Sequence, residues 1–211
     1  MAEDLVKALS ELKEEEALEI VRRRLDAGED PLKILDDCRD AMGIVGERYE
    51  REEYFIPHLV YSGEILKEIT EMIKPKLAEG TKPKRLGKVV IGTVAGDIHD
   101  IGKNIVASML FAAGFDVIDL GKDVPVQNFI EAVKKHKPNI LGMSALLSTS
   151  LPAQREVIEA LKKSNLREKV KVMVGGAPVT AEWAEEIGAD GYAEDAVEAV
   201  RVALKLLGKE E

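Results

Sequence analysis

The second half of the chain alternates short apolar runs with stretches of helical periodicity, and this alternation constrains its fold more than any other feature. Runs that predict buried strands lie at Val89–Val94, Phe115–Leu120, Ile140–Ser144, Val170–Val174 and Gly191–Ala193. Helical patterns lie near residues 103–113, 126–136, 152–164, 180–187 and 195–207. Such alternation forms right-handed βαβ units around a parallel sheet covered on both faces. We predict an α/β, doubly wound, Rossmann-like domain with a five-stranded parallel sheet in the flavodoxin-like order.

The first half has a helical period throughout and predicts a separate four-helix bundle. Apolar residues recur at helical offsets in the sets Leu5, Leu9, Leu12; Ala17, Ile20, Val21, Leu25; Leu35, Cys38, Met42, Val45, Tyr49; and Leu59, Leu66, Ile69, Ile73. Asp30 and Pro31 predict the N-cap and the first position of the third helix. A stretch rich in proline, glycine and basic residues follows. We predict the bundle over residues 1–74, an exposed linker over 75–87 and the α/β domain over 88–211.

Composition excludes several classes of function. The formal net charge of -9 argues against a DNA- or RNA-binding role, which usually needs a basic face. Cys38 is the only cysteine, so no disulfide can form within the chain. No apolar stretch reaches the roughly 18 residues of a membrane span, and the acidic start lacks the pattern of a signal peptide. We expect a cytoplasmic protein with no nucleic-acid or membrane partner.

The loop expected after the first strand carries the sequence Asp97-Ile98-His99-Asp100-Ile101-Gly102. Open α/β sheets bind ligands outside the carboxyl ends of their strands, where this loop belongs. Asp97 can accept a hydrogen bond from one ring nitrogen of His99, which leaves the other nitrogen free to bind a metal. Gly102 lets a bulky group approach the backbone. A zinc site needs three or four protein ligands, and few others are available, so we expect the metal to arrive already held by a cofactor.

Two further strand ends extend this pattern. Ser144 and Leu146 follow the third predicted strand and Gly175-Gly176 follow the fourth, with 41 residues between Gly102 and Ser144 and 28 between Leu146 and Gly175. The set Asp-x-His-x-x-Gly, Ser-x-Leu and Gly-Gly closely resembles the cobalamin-binding signature of methionine synthase, the B12-dependent mutases and the corrinoid proteins of methyltransferase systems. The helical first half, with its segment Tyr54–Leu59, resembles the cap of methionine synthase and the corrinoid proteins. The resemblance covers nearly the whole chain.

The resemblance implies a base-off/His-on cobalamin or related corrinoid, with His99 as the lower axial ligand of cobalt and the nucleotide tail extended into the domain. Asp97 and Ser150 would complete a catalytic relay with His99, although capping of the next helix is an alternative role for Ser150. The other cofactor contacts that the resemblance implies are Asp100, Ile101, Gly102, Ser144, Leu146, Ser148, Gly175 and Gly176, with Phe55 and Leu59 over the upper face. Lys103, like Asp100, would reach the corrin amides or simply belong to an exposed helical turn, and ordinary bundle packing is the alternative for Phe55 and Leu59.

The same resemblance implies a corrinoid methyl carrier. It would take a methyl group from a donor-specific methyltransferase and deliver it to a second methyltransferase, whose acceptor is tetrahydrofolate or coenzyme M, and it would depend on a reductive activation protein. Little turnover is expected of the chain alone. The alternatives are a B12-binding sensor or regulatory module and the small subunit of a B12-dependent mutase. The sequence does not choose between methanol, methylamines, betaines and methoxylated aromatics as the donor, because the difference lies in the partner.

Overall fold

The computed structural model of the chain describes residues 2–76 and 85–209. These residues form two compact units: the first comprises the described residues up to Arg85 together with Ala112–Gly114, and the second comprises Leu86–Phe111 and the chain from Phe115 onward. Most of the predicted linker, residues 77–84, lies outside the described residues, so the boundaries at 74 and 88 stay predictions. None of the described helices is both long enough and apolar enough to cross a membrane.

Within residues 2–76, the first unit is a bundle of four α-helices, as predicted. They are α1 Ala2–Ser10, α2 Glu14–Asp26, α3 Pro31–Glu50 and α4 Ile56–Ile73, and a short 3₁₀ turn follows at Lys74–Lys76. Helices α1 and α4 each pack against both α2 and α3. Asp30 caps α3, because its carboxylate accepts a hydrogen bond from the backbone N–H of Leu32 at 3.0 Å.

Periodicity predicted some of the buried positions of the bundle wrongly. Helix α1 ends before Leu12, which has a φ of 60° and is only half-buried, and Ala8 is buried instead. In α3, Ile34 is fully buried and its neighbour Leu35 is half-buried. Adjacent helical positions differ by about 100° around the axis. When two apolar residues are adjacent, the pattern therefore does not decide which one faces the core.

Arg24 is a charged residue of the bundle that is not exposed to solvent. Its side chain is buried, donates hydrogen bonds of 2.8 and 2.7 Å to the carboxylate of Glu29, and places Nη1 2.6 Å from Oδ2 of Asp37. The hydrogen bond to Glu29 raises the pKa of Arg24 above its usual range, against the effect of burial. A buried charge is tolerable here because two carboxylates compensate it.

The second unit contains a parallel five-stranded sheet whose order, β2-β1-β3-β4-β5, is the predicted flavodoxin-like one. The strands are β1 Lys88–Thr93, β2 Asp116–Asp119, β3 Ile140–Ser144, β4 Lys171–Gly175 and β5 Gly191–Ala193. The helices are α5 Ile101–Ala112, α6 Val126–His136, α7 Leu151–Lys163, α8 Ala181–Ile187 and α9 Ala196–Leu206. The predicted fold class is confirmed.

The carboxyl ends of four strands align at one edge of this sheet. The register places Thr93 beside Ser144, Ser144 beside Gly175, and Gly175 beside Ala193. The chain leaves β1 toward β2 on one side and leaves β3 toward β4 on the other, so the loops after β1 and β3 diverge. Open α/β sheets bind ligands in the crevice at such a switch point. The predicted site residues that follow β1, β3 and β4 therefore share this edge.

The turn after β4 needs its glycines for contacts within the chain. Gly176 has a φ of 123°, which side-chain-bearing residues rarely adopt, and a Cβ added there would lie 1.9 Å from the carbonyl oxygen of Ala145. A Cβ on Gly175 would lie 2.9 Å from the carbonyl oxygen of Ala193. The close approach of two backbones therefore explains glycine at both positions without reference to a ligand.

Replacing Gly176 with alanine should destabilise the second unit by about 3 kcal/mol or more, because the overlap with Ala145 adds to a strained φ. Gly121→Ala is the matched control: Gly121 has a φ of 85°, but a Cβ there meets nothing within 4 Å. The control should lose only about 1–2 kcal/mol, the cost of the backbone conformation. Urea unfolding followed by circular dichroism measures both losses, and equal losses would contradict the clash.

Candidate functional site

The carboxylate of Asp97 lies at the centre of the predicted site and joins the loops that leave β1 and β3. It is fully buried. Its Oδ1 accepts hydrogen bonds from the backbone N–H and the ring Nδ1 of His99, at 3.1 and 2.8 Å. Its Oδ2 accepts hydrogen bonds from the backbone N–H groups of Leu146 and Leu147, at 2.7 and 3.0 Å, and from the hydroxyl of Ser150 at 2.8 Å. One side chain thus holds together two loops that diverge from the sheet.

These donors determine the charge of Asp97. Burial by itself would raise the pKa of the carboxyl group, because desolvation disfavours the charged form. Hydrogen bonds from the His99 ring, the Ser150 hydroxyl and the backbone N–H groups of His99 and Leu146 outweigh burial and hold the pKa of Asp97 well below its usual range. The carboxylate is therefore ionised at neutral pH, with protein donors in the place of water.

The ring of His99 is oriented by Asp97 and presents its other nitrogen outward. Because Nδ1 lies against an ionised carboxylate, it carries the proton, and in the neutral ring Nε2 then carries the lone pair that a metal requires. Within residues 85–209, no group is hydrogen-bonded to Nε2, and the side chain is 47% exposed. The hydroxyl of Thr93 donates to the His99 carbonyl oxygen at 2.9 Å, which fixes the backbone beneath the ring.

Ser150 lies directly before α7. Together with Asp97 and His99 it forms a hydrogen-bonded group, here called the Asp97 cluster. Its Oγ lies 2.8 Å from Oδ2 of Asp97 and 2.7 Å from the carbonyl oxygen of Leu147, so its single proton is shared between two acceptors. Its side chain makes no capping hydrogen bond to α7. The alternative of side-chain capping is therefore wrong, and the structure brings His99, Asp97 and Ser150 into one connected chain.

Exposed apolar side chains surround this cluster. Among the described residues of the second unit, the large hydrophobic side chains that are exposed are Ile98, Ile101, Leu146 and Leu147, and all four lie on the loops that Asp97 joins or at the start of α5. Ile98 and Ile101 are 66% and 68% exposed. Sequence reasoning missed Ile98 and Leu147. The available signal was their position on loops, next to the motif residues Asp97 and Leu146.

The other predicted contacts in this unit lie along the same edge. Ser144 ends β3, and its carbonyl oxygen accepts a hydrogen bond from the backbone N–H of Val94 at 3.1 Å. Within residues 85–209, its hydroxyl makes no hydrogen bond to a protein group, and the residue is half-buried. Ser148 is exposed in a short 3₁₀ turn, Ser148–Ser150. Gly102 lies in the first turn of α5, where an added Cβ would meet nothing within 4 Å.

Asp100 and Lys103 lie on either side of Gly102 in different environments. The carboxylate of Asp100 is 3.6 Å from the ammonium of Lys122, near the surface. Lys103 is buried, and its ammonium contacts the carboxylate of Asp119 and, at 2.6 Å, Oδ1 of Asn104. The expectation of an exposed first helical turn is therefore wrong for Lys103, and its ammonium is already engaged by protein partners.

Phe55 and Leu59 belong to the helical unit. Phe55 is exposed directly before α4, and its backbone N–H donates to Nδ1 of His58 at 3.0 Å. The ring of His58 stacks on Tyr54 with 4.6 Å between centroids. Leu59 is buried. Packing accounts for Leu59, and the exposure of Phe55 leaves its predicted contact with a corrinoid an open prediction.

Two residues that sequence reasoning did not single out support the end of β3. Gln154 is fully buried, and its amide donates to the carbonyl oxygen of Met143, next to Ser144, at 3.1 Å. The indole N–H of Trp183 donates to the Gln154 carbonyl oxygen at 2.9 Å, and the guanidinium of Arg155 lies 4.8 Å from the Trp183 ring centroid. From sequence alone, a glutamine in the first turn of an amphipathic helix is expected to be exposed to solvent. Only its tertiary contacts reveal that it supports the end of β3.

The residues present fit a metal that is held in a large apolar ring system. Among the described residues, no group of three or more histidine, cysteine, aspartate or glutamate side chains could hold a metal ion. A single imidazole, with an available Nε2, stands among exposed apolar side chains beside the open space at Gly102. A macrocycle that supplies its own ligands needs one axial donor, an apolar surface and room, and this edge provides all three.

Acid should weaken the attachment made by Asp97. A carboxyl group whose pKa is depressed by folding stabilises the native state above its unfolded pKa of about 3.9 and loses that contribution as the pH falls toward the folded value. Asp97→Asn should therefore be less stable than the parent by about 3 kcal/mol at pH 7, and the difference should narrow below about pH 4. Urea unfolding from pH 7 to pH 3 measures it, with the half-exposed Asp116→Asn as control. A difference that does not change with pH would contradict the depressed pKa.

Comparison with known families and relatives agrees with this geometry. A family model described as a B12 binding domain matches residues 87–201, and a second model described as a B12 binding domain matches residues 1–74. Dimethylamine corrinoid protein 1 of Methanosarcina mazei is 45% identical over 208 residues, which cover 98% of this chain and 96% of the relative. Trimethylamine corrinoid protein 1 of Methanosarcina acetivorans is 46% identical over 195 residues, which cover 92% of this chain and 90% of the relative.

Solved structures give the same result. A methanol:cobalamin methyltransferase complex from Methanosarcina barkeri contains a chain with a TM-score of 0.86 and 33% identity, covering 98% of this chain and 79% of that one. A cobalamin-binding protein from Desulfitobacterium hafniense has a TM-score of 0.79 and 35% identity, covering 98% of both chains. The resemblance predicted from three strand ends is confirmed: the chain belongs to the family of corrinoid proteins with a B12-binding domain.

Proposed function

We propose that the chain is the methyl carrier of a methylamine-type corrinoid system, moving a methyl group from a donor-specific methyltransferase to a second methyltransferase. The outward-facing Nε2 of His99, backed by Asp97 and Ser150, is the observation that carries this proposal, because it offers one axial ligand to a metal that a macrocycle already holds. Relatives over nearly the full length are corrinoid proteins. They favour the carrier over the sensor and over the mutase subunit.

The residues of the second unit have defined tasks in this proposal. When bound, a corrinoid supplies a cobalt centre that can accept a methyl group and release it. His99 would occupy its lower position in the base-off/His-on state, and the exposed Ile101 and Leu146 would lie against the ring system. The hydroxyl of Ser144 and the exposed Ser148 would meet the extended nucleotide at the carboxyl edge. Gly175 and Gly176 would shape that edge through their own backbone contacts.

Asp97 and Ser150 would control the proton of the relay. While Nε2 of His99 serves as a ligand, the proton on Nδ1 is held by Oδ1 of Asp97. The ionised carboxylate of Asp97, 2.8 Å from Nδ1, would stabilise positive charge on the ring. The depressed pKa of Asp97 keeps the Nδ1 proton on the ring rather than on the carboxyl group, and the hydroxyl of Ser150 donates to the other carboxylate oxygen.

The partners follow from the same proposal. The donor we favour is a methylamine, because dimethylamine and trimethylamine corrinoid proteins share 45% and 46% identity with this chain, against 33% for a chain of the methanol complex. The second methyltransferase would pass the methyl group to coenzyme M or tetrahydrofolate, and a reductive activation protein would restore the active cobalt state. The partner enzymes, rather than residues of this chain, would select donor and acceptor.

Reconstitution with hydroxocobalamin tests the ligand. The parent should bind the corrinoid, and its visible spectrum should change when His99 is replaced by alanine, because the imidazole that we propose as the axial ligand is lost. His136→Ala is the matched control, since His136 ends α6 outside the Asp97 cluster. Its spectrum should equal that of the parent. Identical spectra for His99→Ala and the parent would remove His99 from the lower position.

Methyl transfer tests the carrier. The reconstituted, reduced chain should become methylated when mixed with a methylamine methyltransferase and its amine, and not with a methanol methyltransferase and methanol. Mass spectrometry or the absorption of the methylated corrinoid measures the product. Methylation from methanol alone would overturn the choice of donor, and methylation by neither system would argue against a carrier of the methylamine type.

A further inference from the structure

Lys103 is a buried cation that the proposed chemistry does not use. Among the described residues, the charged side chains that are buried are Arg24, Asp97 and Lys103, and the last two lie at the two ends of the loop that carries His99. The side chain of Lys103 is 1% exposed. An ammonium group is costly to bury unless it is paired and hydrogen-bonded, so its position needs a reason.

The partners of Lys103 connect the start of α5 to the end of β2. Its ammonium contacts Oδ2 of Asp119, the last residue of β2. The other oxygen of Asp119 accepts a hydrogen bond from the backbone N–H of Gly121 at 2.8 Å, and the Gly121 carbonyl oxygen accepts one from the backbone N–H of Thr93 at 3.0 Å. Thr93 is the residue whose hydroxyl donates to the carbonyl oxygen of His99. A continuous set of bonds thus runs from Lys103 to the backbone of His99.

The segment that follows Gly121 holds the same loop at its other end. The carboxylate of Asp123 accepts a hydrogen bond from the backbone N–H of Gly96 at 2.8 Å, and the backbone N–H of Asp123 donates to the carbonyl oxygen of Asp97 at 2.9 Å. The His99 loop is therefore attached at one end to the last residue of β2 and at the other end to the segment that follows β2. The Lys103–Asp119 ion pair is the attachment nearest to α5.

We propose that Lys103 is a positioning residue for the axial ligand: its ion pair with Asp119 fixes the start of α5 and thereby holds His99 where Nε2 can reach a bound corrinoid. This inference rests on the proposed role of His99. A buried ion pair often stabilises a fold no more than apolar residues of the same size would. The Lys103–Asp119 ion pair instead supplies a defined geometry. Its ammonium group is held between the carboxylate of Asp119 and the carboxamide oxygen of Asn104, and therefore has few alternative positions.

Electron paramagnetic resonance on the full chain tests the proposal. The protein is labelled with ¹⁵N-histidine, reconstituted with hydroxocobalamin and reduced to cob(II)alamin, so that a protein imidazole on cobalt gives a doublet splitting and the vitamin's own base gives a triplet. The parent should show the doublet. Lys103→Met should lose most of it and bind the corrinoid about 10–100-fold more weakly, as other changes behind a metal ligand do.

Further variants separate positioning from folding. Asp119→Asn breaks the same pair from its 39% exposed side and should lose the doublet in the same way, even if Lys103→Met fails to fold. Lys103→Arg keeps the cation and should restore part of the doublet. Arg167→Met removes a partly buried ion pair, 2.8 Å from Asp190 in the same unit, and should leave the doublet intact.

The outcomes distinguish this proposal from the role of His99. A doublet of parental strength in Lys103→Met, or in a folded Asp119→Asn, overturns the positioning role and leaves His99 as the ligand. An equal loss in Arg167→Met overturns it as well, because the effect would then be general. A triplet or no splitting in the parent, unchanged in His99→Ala, overturns the ligand and the inference that depends on it.

Discussion

The structure of the candidate site depends on one buried carboxylate. A doubly wound sheet sends the chain in opposite directions after its two central strands, which opens a crevice but leaves the loops around it without a common support. Asp97 provides that support, because its Oδ1 accepts hydrogen bonds from its own loop and its Oδ2 accepts them from the loop after β3. The same bonds keep the group ionised although it is buried from solvent. The carboxylate of Asp97 therefore both orders the two loops and polarises the imidazole of His99.

The α/β architecture was predictable because each strand is a short apolar run between helical patterns, and a parallel sheet of this kind admits few connections. The grouping of Asp97, His99 and Gly102 was predictable because they lie between β1 and the first turn of α5, at the carboxyl end of a strand. The roles predicted for them came from the resemblance to cobalamin-binding proteins. The burial of Lys103 was not predictable, because a lysine in the first turn of a helix is usually exposed to solvent. Its partner Asp119 lies near Lys103 only because β2 pairs with β1, and the local sequence pattern does not predict that pairing.

Two glycines that match the same sequence signature have different physical surroundings. Gly102 and Gly176 both belong to the cobalamin signature. At Gly102 the space beside the backbone is open, so no contact within the unit requires glycine there, and room is left for a ligand. At Gly176 the space is filled by the carbonyl of Ala145, so the fold itself requires glycine there. Gly102 is therefore stronger support for a ligand at this edge than Gly176 is.

The hydrogen bond between Trp183 and Gln154 gives the chain a natural optical probe. This is the only indole in the sequence, so its fluorescence has a single source. Gln154 is bonded in turn to the carbonyl that precedes Ser144. Emission from this unit thus reports on the polarity at the end of β3. A coloured guest seated there would also quench the emission by energy transfer, which makes titration possible without any dye or engineered label.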